Sequence, residues 1–110
     1  PSCSWIEIQT VKDAQKALEL HTATRLGLGE CAAMILAEDL NANRLLIDDF
    51  AARREAQSRN LPVIGTVAFI LLAKKLGIIP VVKNLLDDLV AQGARIGQKL
   101  YRDALIVAGE

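Results

Sequence analysis

The run Leu45-Leu46-Ile47, bounded by Arg44 on one side and by Asp48 and Asp49 on the other, constrains this chain most. Three adjacent apolar residues between polar neighbours read as a short strand buried on both faces, as in a parallel sheet covered by helices. A second run, Leu61-Pro62-Val63-Ile64-Gly65, follows a helical and basic stretch over residues 50–60, and Pro62 places it at a strand start or a sheet edge. Trp5-Ile6-Glu7-Ile8 alternates apolar and polar and is a candidate edge strand. Helical periodicity covers the rest. Residues 11–20 place Val11, Ala14, Ala17 and Leu18 on one face, residues 21–29 read as a loop, and residues 30–40 carry a wide apolar face closed by Asn41-Ala42-Asn43. Thr66 is suited to cap a helix leaving a strand, and helices over 67–76, 80–92 and 96–108 end at Gly77, Gly93 and Gly109. The expected class is α/β, with a mostly parallel sheet shorter than the usual about four to six strands.

Glu30 opens the apolar helix, and eighteen and nineteen positions later Asp48 and Asp49 close the strand. The segment between them is about long enough to descend the helix and return along the strand. Both acidic groups are then expected at one edge of the sheet, where open α/β folds hold their ligands. Carboxylates converging without His or Cys suit a hard, oxygen-preferring cation such as Mg²⁺ or Mn²⁺, and so point to metal-dependent phosphate chemistry. Each acid also has a plainer explanation. A carboxylate in a first helical turn gains about 0.3–1 kcal/mol from the helix dipole, and aspartate before a helix is a preferred N-cap. Arg53 lies four residues after Asp49, the spacing of a helical ion pair, with phosphate contact as the other reading of Arg53 and Arg54. His21 has no partner at ligand spacing, and Trp5 and Tyr101 are expected to anchor packing.

A chain of 110 residues with 52% hydrophobic and 24% charged residues is expected to form one domain with a real core. The net charge of zero argues against a strongly basic nucleic-acid binder, yet it is unevenly spread. Residues 1–49 carry four Lys/Arg against eight Asp/Glu, and residues 50–110 carry nine against five. Two cysteines, Cys3 and Cys31, form neither a disulfide framework nor a paired metal motif, which fits a reducing cytoplasm. The most apolar stretch, 61–73, is interrupted by Pro62 and Gly65 and is too short to span a bilayer, and no signal peptide is visible.

The string Leu28-Gly29-Glu30 with Ala33, Leu36, Ala37 and Leu40 behind it, then Leu45-Leu46-Ile47-Asp48-Asp49 and Arg53-Arg54, closely resembles the PIN-like proteins described as predicted nucleic-acid-binding proteins and related to VapC-type toxin ribonucleases. The likeness continues through Leu61-Pro62-Val63-Ile64-Gly65-Thr66, Leu71-Leu72-Ala73-Lys74-Lys75, Gly77-Ile78-Ile79-Pro80 and Leu85-Leu86-Asp87. It implies a three-layer α/β/α fold and an endoribonuclease that cuts RNA with Mg²⁺ or Mn²⁺. In this chain it implies Glu30, Asp48 and Asp49 as catalytic metal ligands, with Arg53 and Arg54 as weaker nucleic-acid contacts. It also implies an antitoxin partner and a homodimer or higher oligomer. The family's opening strand and its metal-anchoring aspartate have no counterpart here, and Gly27 and Ala32 stand where many relatives carry acids. Impaired catalysis is the resulting expectation. The competing reading is a non-catalytic protein acting through oligomerisation or partner binding, because a sheet lacking a strand exposes an edge.

Overall fold

Asp13 sets where the first helix begins. In the computed structural model, which describes residues 3–110, its carboxylate accepts from the N–H groups of Gln15 at 3.1 Å and Lys16 at 3.3 Å. Helix α1 therefore runs Ala14–Thr24, displaced towards the C-terminus from the 11–20 expected. It carries His21 inside a helix rather than in a loop, with the imidazole Nδ1 2.5 Å from the Leu26 carbonyl oxygen. Ala17 and Leu20 face the core, whereas Leu18 is exposed.

The chain divides into two units, Pro1–Ile64 and Gly65–Glu110, each with its own hydrophobic core. The first unit continues with α2, Leu28–Leu40, β1, Leu45–Leu46, α3, Phe50–Ser58, and β2, Val63–Ile64. Helix α2 is apolar on most sides and buries Cys31, Met34, Ile35 and Ala37. It ends at Asn41, whose left-handed backbone (φ 52°) lets the Ala42 N–H reach back to the Ala37 carbonyl at 3.0 Å.

β1 and β2 pair in parallel, Leu45 opposite Val63 and Leu46 opposite Ile64, with α3 as the crossover. Pro62 fits the start of β2 because only its carbonyl is used, accepting from Leu45 N at 2.8 Å. The strand expected to be buried on both faces is buried on one. Leu45 and Ile47 join the core while Leu46 between them is 51% exposed, as the two-residue period of a strand requires when only one face is covered.

Trp5-Ile6-Glu7-Ile8 is not a strand. Residues 4–5 form a turn, Ile6 N donates to Cys3 O, and Trp5 is 83% exposed rather than an anchor of packing. The alternation had no neighbouring strand with which to pair, and an unpaired strand leaves its N–H and C=O groups to water.

The second unit is helical: α4, Thr66–Lys75, α5, Val82–Ala91, and α6, Gln98–Ala108. Its core holds Ile70, Val82, Leu86 and Ala104. Thr66 opens α4, but Gly65 occupies the cap position. Pro80 precedes α5 rather than sitting in its first turn, and Val81 at the cap offers no side-chain acceptor. Glu110 supplies it from the far end of the unit. Its carboxylate accepts from Val82 N at 2.8 Å, Lys83 N at 3.0 Å and Lys74 Nζ at 2.7 Å, while Lys74 Nζ also donates to the Ala108 carbonyl at 2.6 Å. Gly109, at φ 76°, makes the turn that aims it. Tyr101, half-buried against this core, donates to Asp87 at 2.6 Å, and Lys83 pairs with the same carboxylate.

The Lys74 ammonium, then the two amides, hold the Glu110 carboxyl at about 2, down from an ordinary 4.5. A depressed carboxyl favours the folded state fully above its unfolded value and loses that contribution as pH falls through the folded one. The second unit is therefore expected to weaken progressively between pH 4.5 and 2. Glu110→Gln should flatten this acid limb and speed exchange of the Val82 and Lys83 amides; superimposable stability curves for the two proteins would refute it.

Candidate functional site

Helix α2 and strand β1 are joined by a short turn and share one core, so they run in opposite directions side by side. From Glu30 to Leu40 the helix rises about 15 Å, and from Leu45 to Asp49 the chain extends about 13 Å. Cys31 next to Glu30, Ile47 before Asp48 and Ala52 in the first turn of α3 all pack into that core, which fixes the backbone around the acids.

Glu30 occupies the third helical position after the cap residue Gly27, the place from which a glutamate reaches back over a helix start. Its Oε2 is buried and has no hydrogen-bond partner among the described residues. Its Oε1 lies against Gly27, 2.8 Å from where a Cβ on that glycine would stand. A buried carboxylate oxygen without a donor is costly, and native structures rarely leave one without a ligand, ion or water.

Asp48 and Asp49 are exposed between β1 and α3. Asp49 is the N-cap of α3, its Oδ2 accepting from Ala52 N at 2.9 Å. This is the plainer of its two expected roles, and it spends one oxygen while orienting the other. The ion pair expected between Asp49 and Arg53 is not formed among the described residues; Arg53 meets Asp49 only through the backbone, N to O at 2.9 Å. Among the described residues no group of three or more His, Cys, Asp or Glu side chains is arranged to hold a metal ion.

Two features escaped the sequence reading. Phe50, directly after the capping aspartate, is 73% exposed, with the Arg54 guanidinium 5.9 Å from its ring centroid. Helical spacing held the signal: Ala52 and Ala56 define the buried face of α3, and Phe50 and Arg54, also four apart, fall off it. Arg59 joins α3 to α2, pairing with Glu38 at 2.9 Å and Glu55 at 3.7 Å, and with Glu38 it lines a cleft of about 560 Å³. Its hydrogen bond to the Glu38 carboxylate, more than any other contact, raises its pKa, so it is a fixed cation.

A family model described as a PIN domain matches residues 1–110. The chain belongs to the PIN-domain family. No curated protein and no solved structure matches it. Among the described residues, six helices with a short parallel sheet are consistent with the α/β fold of PIN domains, and the family gives this chain a nuclease-type fold. No helix among the described residues is long and apolar enough to cross a membrane.

Proposed function

We propose that this PIN domain serves divalent-cation-dependent hydrolysis of RNA phosphodiesters, as the toxin component of a toxin–antitoxin pair. Glu30 is its central acid, and Asp48 and Asp49 are the further acids assigned to it. The observation that carries the reading is the buried Oε2 of Glu30, an oxygen acceptor with no hydrogen-bond partner among the described residues.

An all-oxygen donor set suits Mg²⁺ or Mn²⁺. No group of three ligands converges among the described residues, so the reading takes one or two carboxylates per ion. Mg²⁺ is commonly held that way, by one or two carboxylates with water and substrate phosphate completing its shell. Such an ion supplies charge stabilisation at the phosphoryl group and a more acidic bound water. The protein's own part is positional. The packed start of α2 presents Glu30, the N-cap bond orients Asp49, and Arg53 and Arg54 follow four and five residues after Asp49 to meet the backbone of an RNA strand. Phe50 offers an exposed ring for a base.

Titrating Mn²⁺ into the protein should broaden the amide resonances of residues 28–31 before those of residues 98–108. Uniform broadening, or none, would count against the reading.

A second reading, partner binding through homodimers or an antitoxin, draws on the two-stranded sheet, whose outward residue Leu46 is exposed, and on Leu76, Ile78, Ile106 and Val107, exposed in the second unit. Light scattering after size exclusion tests it, and a monomer at high concentration would remove it.

A further inference from the structure

Gly27 has no backbone reason to be glycine. Its dihedral angles, φ −54° and ψ 141°, are ordinary extended values open to any residue. It also caps α2 without a side-chain bond, where serine or aspartate is usual. Its surroundings differ from its backbone in what they demand. The three atoms nearest a Cβ built there all belong to Glu30: Oε1 at 2.8 Å, Cδ at 3.7 Å and Cγ at 3.9 Å. The first is closer than a real Cβ approaches an oxygen. Gly29, two residues on in the same turn, has nothing within 4 Å of its Cβ position.

We infer that Gly27 is a positioning residue for Glu30: the space left by its missing side chain is where the Glu30 carboxylate folds back onto the first turn of α2, with Oε1 in that space and Oε2 buried beneath. A side chain at position 27 displaces the carboxylate, which lies at the end of a flexible chain and moves without disturbing the helix. The inference rests on the reading of Glu30 as a cation ligand given above, and adds the residue that decides where the ligand stands.

The test uses the full chain and Mn²⁺ alone. Gly27→Ala should weaken Mn²⁺ binding about tenfold or more, the usual effect of losing a group that orients a ligand, and should shift the Glu30 side-chain carboxyl ¹³C resonance. Gly27→Ser should do the same while improving the cap, which separates displacement of Glu30 from weakening of the helix. Gly29→Ala should change neither quantity.

If wild type and Glu30→Gln bind Mn²⁺ equally or not at all, the functional reading fails and the inference with it. If wild type binds and Glu30→Gln does not, but Gly27→Ala and Gly27→Ser match Gly29→Ala, the inference alone is overturned. A Glu30 resonance that moves while Mn²⁺ affinity holds overturns it too, because the carboxylate would then not need this position.

Discussion

Replacing Glu30 by glutamine should lower Mn²⁺-dependent cleavage of single-stranded RNA by about a hundredfold or more while leaving the fold intact. The magnitude follows from the role: a carboxylate that holds a cation supports several kcal/mol of charge stabilisation at the phosphoryl group, and about 1.4 kcal/mol is a factor of ten in rate. The fold should survive because, among the described residues, Glu30 makes no hydrogen bond that glutamine would break, and its Oε2 lies buried without a partner there. An amide there is nearly isosteric and carries no charge to desolvate, so the substitution is expected to leave thermal stability unchanged or slightly raised. Loss of cleavage with retained stability is the pattern of a functional acid. Equal loss of both would make Glu30 a structural residue, and unchanged cleavage would remove it from the chemistry. The same assay with Asp49→Asn is less clean, because that carboxylate also caps α3 through Ala52 N.

Leu86→Ala should destabilise the second unit by about 2–5 kcal/mol, the range for emptying a fully buried leucine site. Leu86 is 0% exposed, at the centre of a core whose other fully assigned members are Ile70, Val82 and Ala104. With only four buried side chains in this core, the loss is a large part of the about 5–15 kcal/mol typical of a whole domain. Leu85 beside it is 38% exposed, and Leu85→Ala is expected to cost much less. Urea denaturation of the two variants decides the point. Equal midpoints would mean that the second unit is not held by this core.

Much of the architecture was legible because short-range chemistry punctuates this chain. Asn41, Pro62 and Gly109 stand where α2 ends, β2 begins and α6 stops, and each does so through its own backbone preference. The failures have a common cause. Trp5 to Ile8 had a strand's alternation but no partner, and Leu46 had an apolar neighbour on each side but only one covered face. His21 looked like loop because the cap at Asp13, not the apolar pattern, sets the frame of α1. Arg59 meets Glu38 twenty-one residues away, and Glu110 meets Lys74 thirty-six residues away; no local pattern encodes such pairings.

The same division runs through the candidate site. By itself the sequence determined the kinds of group available and the ends of elements on which they sit: an acid in the first turn of a helix and two acids after a strand, since caps, breakers and periodicity act over a few residues. Only the tertiary structure decided what those acids do at rest. It set the Asp49 carboxylate on the Ala52 amide and laid the Glu30 carboxylate against Gly27 with one oxygen buried. The reason is physical: a side-chain rotamer and its desolvation are chosen by the packed surface around it, and that surface exists only once α2, β1 and α3 share a core.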